Sequence, residues 1–524
     1  MTEAVAGGRE EKQPGLKDWL AIAGGMVGCF MAILDIQITN SSLAQIEGSI
    51  GASIDEGSWI ATAYLAAEII VIPLTGWLSN VFGLRRYLSV STALFILFSI
   101  ACAWSTSLPE LILFRAGQGF TGGALIPTGL TIITRQLPPS KQMIGGAIFG
   151  VGVTFAPSLG PTLGGWLTEN LSWHYIFYLN VVPGLVAIAL QQYALAREPV
   201  RLKELIGGDW WGILTMTAGL GAVTIVLEEG QRRDWFGSPL IRDLGIVAVV
   251  AFTFFLIVEF TSAKPVLNLR LLGQHGVGSG NFLSALIGAV SYGSIFLVPL
   301  YLSQVPRYSA MQMGTVVMWS GLPQLLVFPL MPLMVRYLSL RPMVAVGSLL
   351  VAVSCFLNAH LSPETGGHDL ILSQVLRAVG FPIFAMPMLQ LTVSDLPARD
   401  SADASSLTNV FRNLGGSIGI AMLATMTQSR EQVHFAALTE RVSANAGRAA
   451  ERIEQMTGLF LSRSPDLAGA ETKATAMLAG QMHQQALVLA YVDAFNMLGV
   501  LMLLSLPLVL LLPKGSRRMA AAVH

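Results

Sequence analysis

About fourteen apolar runs in this chain are each long enough to cross a lipid bilayer as a helix. A helix rises 1.5 Å per residue, so about 20 apolar residues span a hydrocarbon layer of ~30 Å. With 53% hydrophobic residues, 12% charged residues and a mean hydropathy of +0.62, the chain has too little polar surface for a water-soluble fold. The sequence therefore predicts an all-α polytopic membrane protein. Its predicted spans are residues 17–40, 58–80, 87–106, 110–134, 143–167, 174–196, 210–228, 241–261, 279–303, 311–335, 342–361, 370–394, 405–428 and 486–512.

Lysine and arginine are distributed unevenly between the loops. If the N-terminus is cytoplasmic, most of them fall in cytoplasmic loops, and Arg232 with Arg233 forms the main exception. The positive-inside rule then predicts that both termini are cytoplasmic. The polar residues 1–16 form a cytoplasmic tail, residues 514–524 form a second one, and the first apolar run is too long for a cleaved signal peptide.

Two sequence echoes indicate an internal duplication. The stretch from Gly76 to Arg85 resembles the stretch from Pro332 to Arg341, and Arg115-Ala-Gly-Gln-Gly resembles Arg377-Ala-Val-Gly. Both pairs are eight predicted helices apart, which fits two six-helix halves with an inserted pair between them. The predicted division is an N-terminal bundle at 17–200, an inserted helix pair at 201–275 and a C-terminal bundle at 276–513, the last including a periplasmic loop at 429–485.

The fifth predicted span carries an unusual density of glycine and proline. Its marked positions are Gly150, Pro157, Gly160, Pro161 and Gly164. The glycine pair four residues apart permits close helix packing, and each proline removes a helix hydrogen bond. This segment resembles the antiporter motif of the major facilitator superfamily, which the family carries on its fifth helix and associates with exporters. The resemblance implies the major facilitator fold and a gating role for these residues.

The loop after the second span also resembles a signature of that superfamily. It contains Gly76, Asn80, Gly83, Arg85 and Arg86, and Asn80 stands where the family usually has an acidic residue. The resemblance implies a glycine turn and basic residues that clamp the cytoplasmic face. A charge relay through Asn80 is then in doubt, whereas a hydrogen-bonded latch is retained. The alternative is that both arginines act only as positive-inside determinants.

Two opposite charges are expected at similar depth in the membrane. Asp35 lies about five residues, or roughly 7 to 8 Å, outward of the midpoint of its span, and Arg115 lies about six residues, or roughly 9 Å, outward of the midpoint of its own. A guanidinium keeps its proton and needs an internal partner, so the two charges are expected to meet in one cavity. The alternatives are an arginine that reaches the outer interface and an aspartate that serves helix packing.

Both segments resemble the fourteen-spanning drug/proton antiporters of the EmrB/QacA type, in which the first-helix acid is tied to proton coupling and the fourth helix carries the arginine with Gly119 as its motif glycine. Glu68, near the centre of the second span, is a candidate second proton carrier or cation-binding group, with a structural role as the alternative. Arg412 lies beside a glycine-rich face on the thirteenth span and is expected to order the C-terminal half or its inner gate.

An adaptable substrate cavity is expected to be lined by aromatic, methionine and amide side chains. The candidates are Phe30, Gln37, Phe120, Phe155, Met318, Trp319 and Met388. In the EmrB-type pumps of double-membraned bacteria, the transporter passes substrate to a periplasmic adaptor protein and an outer-membrane channel. The polar segment 429–485 is a candidate contact for such a tripartite pump, or else an ordinary solvated loop.

The resemblance implies a proton-coupled exporter of many toxic hydrophobic compounds that works by alternating access in the bacterial inner membrane. Export of a single metabolite, fatty acid or siderophore is the alternative, and a non-transporting membrane sensor is the alternative from another class. No phosphate-binding loop of the G-x-x-x-x-G-K-[ST] type occurs, so direct ATP drive is not expected. We expect no enzyme activity, metal site, cofactor or nucleic-acid partner, and the interacting species are protons, hydrophobic small molecules and lipid.

Overall fold

The computed structural model describes residues 13–262, 267–274, 276–394, 396, 401–444, 446–461 and 467–513. The predicted 514–524 tail and most of the predicted 1–16 tail lie outside these residues. The regular elements of the described part are helices, and ten of them precede residue 200. These are α1 (Leu16–Ser41), α2 (Leu43–Ile50), α3 (Ile54–Gly57), α4 (Trp59–Phe82), α5 (Leu84–Trp104), α6 (Leu108–Gly122), α7 (Leu125–Gln136), α8 (Pro139–Asn170), α9 (His174–Tyr178) and α10 (Val181–Ala194).

Eleven further helices follow. They are α11 (Leu202–Ile206), α12 (Trp210–Glu229), α13 (Pro239–Thr261), α14 (Val277–Gln304), α15 (Ala310–Val317), α16 (Gln324–Tyr337), α17 (Leu340–Leu357), α18 (Ile371–Val393), α19 (Ser401–Ala444), α20 (Ala446–Leu461) and α21 (Leu467–Val509). Short 3₁₀ turns lie at Trp235–Gly237, Leu269–Gly273, Met318–Ser320 and Asn358–His360.

Each of the fourteen predicted spans is largely helical, with turns inside or at the end of several of them. In the described part of the chain, eleven helices are long and apolar enough to cross a membrane, and up to twelve if the two arms of α8 count as one bent span. The fourth predicted span is broken near Gly123 into α6 and α7, and the thirteenth is the first half of the long α19. The structure is therefore that of a multi-pass membrane protein.

Successive spans run in opposite directions. We call the side that holds the start of α1 the proximal side and the opposite side the distal side. Two separate apolar cores fill the first ten helices, and two others fill α14 to α21. A further core joins α12 and α13 to Leu74 of α4 and to Leu407 of α19, so the inserted pair packs against helices of both predicted halves.

Matching hydrogen bonds occur at corresponding positions of the two predicted halves. Arg85, at the start of α5, donates to the carbonyl of Leu195 at the end of α10 at 3.3 Å. Arg341, at the start of α17, donates to the carbonyls of Leu512 and Pro513 at the end of α21, the latter at 3.2 Å. In each predicted half, the arginine after the second span thus donates hydrogen bonds to backbone carbonyls at the end of the sixth span. Satisfying the free carbonyls of a helix end is a common task for such cations.

The segment predicted as a long loop at 429–485 is largely helical. The first arm continues α19 to Ala444, α20 follows, and α21 returns towards the membrane from Leu467. Polar pairs join the arms where they leave the bundle: Asp493 accepts from Arg430 at 2.5 Å and pairs with His434 at 2.8 Å. We call residues 429–485 the distal hairpin.

Candidate functional site

A buried ion pair lies in the distal half of the first six spans. Arg115 Nη1 on α6 is 2.5 Å from Asp35 Oδ2 on α1, and both side chains are 1% exposed. The expected meeting of these two charges is what the structure shows. Two charges removed from water cost free energy that is recovered only when geometry and further hydrogen bonds are good. The hydrogen bonds that neighbouring groups make to this pair therefore decide whether its burial is stable.

Two amides complete the coordination of the aspartate. Gln118 Nε2 donates to Asp35 Oδ1 at 3.0 Å and Asn180 Nδ2 donates to the same oxygen at 2.6 Å. Gln118 also accepts from Arg115 Nη1 at 2.7 Å, and Asn180 is held by Ser99 at 3.0 Å. Both oxygens of the α1 carboxylate are thus occupied, by two donors from α6 and one from the turn before α10. Hydrogen bonds to an ionised group are stronger than those between neutral groups, so the three bonds to the carboxylate are the strong contacts of this network.

The sequence interpretation missed Asn180 as a member of this network and quoted Gln118 only as part of a motif. Asn180 lies in the turn after the short α9 and directly precedes the first residue of α10. A signal was present, since an amide within an apolar, membrane-length run must find a partner inside the protein. Sequence spacing could not indicate which charge it would meet.

The aromatic ring of Tyr64, on α4, packs against the guanidinium group of Arg115. The guanidinium carbon lies 4.2 Å from the centre of the Tyr64 ring, and Nε donates to the carbonyl of Ile60 at 3.4 Å. Gly119 permits this approach, because a Cβ there would lie 2.2 Å from the Tyr64 carbonyl oxygen. An arginine stacked on an aromatic face gains a cation–π attraction that strengthens when the pair is desolvated.

Glu68 is buried on the same face of α4. It follows Tyr64 by one helical turn, which places it about 6 Å nearer to the proximal side. Its side chain makes no hydrogen bond or ion pair to another described residue, in contrast to the fully coordinated Asp35. The two carboxyl groups are therefore arranged in sequence along the membrane normal, with Arg115 and Tyr64 on the distal side of Glu68.

Helix α8 is bent at the predicted flexible segment. Its arms, Ile144–Pro157 and Leu159–Asn170, meet at 40°. The distal arm packs closely on α1, since a Cβ on Gly160 would lie 2.4 Å from Gln37 Cβ and one on Gly164 would lie 3.0 Å from the Ile38 carbonyl oxygen. Pro157 ends the first arm and Pro161 lies in the second, where each removes a backbone donor from the helix ladder.

The two arms of α8 differ in how they meet the second half of the chain. In the distal arm, the α15 backbone is close, because a Cβ on Gly314 would lie 2.7 Å from Thr162 Cα. Near the bend, Gly150 faces the Phe328 ring of α16. Towards the proximal side, a cavity of about 650 Å³ lies between α8 and α16, lined by Ile148 and Arg336 among others. Helix α8 thus packs on α15 at the distal side, whereas a cavity separates it from α16 towards the proximal side.

The proximal loop after α4 forms a hydrogen-bonded latch. Asn80 Oδ1 accepts from Arg135 Nη2 at 2.8 Å, and Arg135 pairs with Glu198 at 3.4 Å. Glu198 in turn accepts from the Leu84 amide at 3.1 Å. The glycine turn occurs at Gly83, whose φ is +80°. All of these groups precede residue 200, so the latch joins helices within the N-terminal part.

Three other residues of this predicted signature, Gly76, Arg85 and Arg86, take no part in the latch. Gly76 lies inside α4 with open space around its Cα, so it forms no turn in this state. Arg85 Nε donates to Gln192 Oε1 at 2.9 Å, in addition to its bond to the Leu195 carbonyl at the end of α10. Arg86 is exposed. The sequence interpretation did not anticipate Arg135 and Glu198, because it considered this loop without its partners from other helices.

Arg412 lies at the contact between α19 and α14. Its Nη2 donates to Asn409 Oδ1 at 2.8 Å, and its Nε is buried without a hydrogen-bond partner among the described residues. The backbones approach closely here, since a Cβ on Gly288 would lie 2.1 Å from the Arg412 carbonyl oxygen. The glycine-rich packing face expected from the sequence is present, and it leaves one guanidinium N–H unsatisfied.

The seven predicted cavity residues are not brought together around either of the two cavities described for this structure. Met388 is buried in the apolar core of the second half, where its sulfur accepts from Ser284. Phe120 and Trp319 are 45% and 37% exposed. The others, Phe30, Gln37, Phe155 and Met318, are partly buried on α1, α8 and the 3₁₀ turn at 318–320. Their role in binding substrate stays a prediction.

Glu229, a buried carboxylate that the sequence interpretation missed, joins the inserted pair to α4. Glu229 ends α12 with no exposed surface and accepts from Thr62 at 2.6 Å and from Ser58 at 3.0 Å. Arg233 Nε lies 3.6 Å from it. This pair accounts for part of the basic distal loop that departs from the positive-inside pattern.

Comparison with known proteins shows which family and which relatives the chain resembles. Residues 25–420 match the family model of the Major Facilitator Superfamily. The chain is 31% identical to the colistin resistance protein EmrB of Acinetobacter baumannii, over 97% of this chain and 99% of that protein. It is 32% identical to the multidrug export protein EmrB of Escherichia coli K12, over 92% of each.

Among solved structures, the peptide transporter POT is similar with a TM-score of 0.58 and 17% identity, covering 94% of this chain and 95% of that one. At this identity the likeness concerns the fold.

Proposed function

Because the chain belongs to the Major Facilitator Superfamily, we propose that it is a proton-coupled exporter of chemically varied hydrophobic small molecules. The observation that carries this proposal is the Asp35–Arg115 pair, an ionisable carboxylate held at membrane depth by donors from α6 and from the turn before α10. Ionisable groups in such positions are expensive and mark ion or proton pathways. Relatives named for multidrug export over most of their length support the choice of cargo.

The network suggests how protonation changes the protein. When Asp35 takes up a proton, it loses its charge and Arg115 loses the partner that compensates it. A buried unpaired cation is costly, so the protonated protein favours a conformation in which Arg115 meets water or another acid. Glu68, about one turn beyond the Tyr64 ring on α4, is the acid we assign to that step. Glu68 can compensate Arg115 only as a carboxylate, so it releases its own proton towards the proximal side while Asp35 holds the one taken up from the distal side. The net movement is one proton inward.

Export requires that proton and cargo favour opposite-facing conformations. One proton moving inward gains about 2.3 kcal/mol per 100 mV of membrane potential. In our proposal, α8 bends at Pro157, and rocking closes the 650 Å³ proximal cavity while the distal contact between α8 and α15 opens. The Asn80–Arg135–Glu198 latch keeps the proximal ends of the first helices together during this movement.

We further propose that the protein lies in the inner membrane of a double-membraned bacterium with its proximal side in the cytoplasm. The distal hairpin then projects into the periplasm and is the contact for an adaptor protein that leads to an outer-membrane channel. Exposed apolar side chains on the hairpin support this assignment: Val433 is 54% exposed, Leu459 is 70% exposed and Met477 is 47% exposed. Photo-crosslinking from Val433 in intact cells, with exposed Gln432 as control, is expected to capture the adaptor.

Transport into proteoliposomes tests the main proposal. Purified protein is reconstituted, a pH gradient is imposed, and movement of a panel of hydrophobic cations and weak acids is followed with and without an uncoupler. Gradient-dependent movement is expected for the native chain and is expected to be lost in Asp35→Asn. Asp243→Asn is the matched control, because Asp243 pairs with Arg242 on the exposed distal end of α13. Transport that stays gradient-dependent in Asp35→Asn would contradict the proposal.

A further inference from the structure

A cavity of about 180 Å³ lies between the inserted pair and the second half of the chain. Its walls come from α12, α13, α19 and the 3₁₀ turn at Leu269–Gly273, and the surface that they present to the cavity is apolar. Water in such a space finds no hydrogen-bond partner, so apolar cavities of this size stay dry and accept apolar guests. The guest expected here is hydrocarbon.

The depth of the cavity places it in one leaflet. Its lining on α12 begins at Thr215 and ends at Leu220, whereas the helix begins at Trp210. At 1.5 Å per residue these residues lie roughly 8 to 15 Å from the proximal end of α12. Half of a hydrocarbon layer of ~30 Å is about 15 Å, so the cavity lies in the proximal leaflet.

The edge of the cavity on α13 is accessible from the side. Leu256 and Phe260, which both line it, are 43% and 53% exposed, and their helix faces the membrane. Trp211, at the proximal end of α12, is 71% exposed, as is typical of aromatic residues at the level of lipid headgroups. A lipid in this leaflet can therefore place its headgroup at Trp211 and its chain past Leu256.

A positive charge lies at the proximal end of the cavity. Arg270 is exposed between the lining residues Leu269 and Leu272, and its Nη2 donates to the carbonyl of Phe260 at 2.8 Å. This bond fixes the guanidinium beside the exposed edge. Among the described residues it forms no ion pair. A cation at this position favours a lipid with an anionic headgroup over a zwitterionic one.

We propose that this cavity binds one acyl chain of an anionic phospholipid from the proximal leaflet, whose phosphate contacts Arg270. The apolar core around the cavity also includes Leu74 of α4 and Leu407 of α19. The lipid chain therefore lies where the inserted pair meets both halves of the transporter. Hydrophobic cargo is the competing occupant, and Arg270 argues against a cationic one.

Lipid binding by the purified full chain tests this site without requiring transport. Protein stripped of lipid is titrated with palmitoyl-oleoyl phosphatidylglycerol or the corresponding phosphatidylcholine, and bound lipid is counted by native mass spectrometry. Leu256→Trp, at the exposed edge, and Val410→Phe, inside the cavity, are expected to abolish one lipid-binding event for both headgroups. Arg270→Gln is expected to weaken binding of phosphatidylglycerol about fivefold, and to weaken binding of phosphatidylcholine less because its choline offsets the phosphate charge.

Arg242→Gln is the matched control, because it removes an exposed arginine from the distal end of the same α13. It is expected to bind phosphatidylglycerol as the native chain does. Size-exclusion profiles and unfolding midpoints identify any variant that fails to fold, and Leu256→Trp alters only a partly exposed side chain. Unchanged lipid counts in folded Leu256→Trp and Val410→Phe would overturn the proposal. Competition by tetraphenylphosphonium that disappears in these variants would overturn it too, in favour of a cargo site.

Discussion

Replacing Asp35 with asparagine tests both the stability and the function of the ion-pair network. The native carboxylate accepts from Arg115 through one oxygen and from Gln118 and Asn180 through the other. Asparagine keeps one acceptor oxygen, but its NH₂ group only donates hydrogen bonds. That group would therefore face another donor with no acceptor between them. The substitution also leaves Arg115 buried without a compensating charge.

The expected cost follows from that geometry. Removing one partner of a buried ion pair costs about 3–5 kcal/mol, because the remaining charge stays buried and unpaired. For a chain of 524 residues this corresponds to a decrease of roughly 3 to 5 °C in the unfolding midpoint. The exposed Arg242–Asp243 pair, with side chains 59% and 67% exposed, provides the comparison, and Asp243→Asn is expected to change stability by less than about 1 kcal/mol.

The decisive measurement is a double-mutant cycle at Asp35 and Arg115, read by unfolding of the purified protein in detergent. Asp35→Asn combined with Arg115→Gln removes both charges, so the double variant is expected to be more stable than Asp35→Asn alone. The coupling free energy is expected to reach about 2–3 kcal/mol. Gradient-driven transport is expected to be absent from Asp35→Asn and from the double variant. Additive losses of stability would show that the pair does not interact as the structure indicates.

Three further predictions concern packing, the inserted pair and pH. Gly160→Leu is expected to destabilise the protein by about 1–3 kcal/mol and to impair transport, because its side chain would collide with Gln37, whereas Gly458→Leu in open space is the control that should change little. Glu229→Ala, which leaves two buried hydroxyl donors without their acceptor, is expected to cost about 1–3 kcal/mol, and Glu229→Gln less, both measured by the unfolding midpoint. Burial raises the pKa of Glu47 above its usual 4.5, so the folded protein binds that proton more tightly than the unfolded chain and stability falls as pH rises through this range. Glu47→Gln is therefore expected to raise the unfolding midpoint at about pH 7.5 more than at about pH 4, and an equal effect at both pH values would contradict this assignment.

The distal hairpin illustrates a limit of sequence patterns. Its apolar residues are spaced irregularly, and periodicity alone did not distinguish a helix from a solvated loop. The structure extends α19 and α21 beyond the bundle, and pairs such as Arg430–Asp493 join the two arms where they leave it. The ion-pair partner lies 63 residues away along the chain, a separation that local propensity does not encode.

The sequence determined the membrane class, the helix positions and the meeting of Asp35 with Arg115. Apolar run length is a local property with a fixed relation to bilayer thickness, and a buried guanidinium at a known depth demands an acid at the same depth. The tertiary structure decided which neutral groups complete the site. Asn180, Glu198 and Glu229 acquire their partners only when helices distant in sequence pack together, because a hydrogen bond depends on the position and direction of both groups.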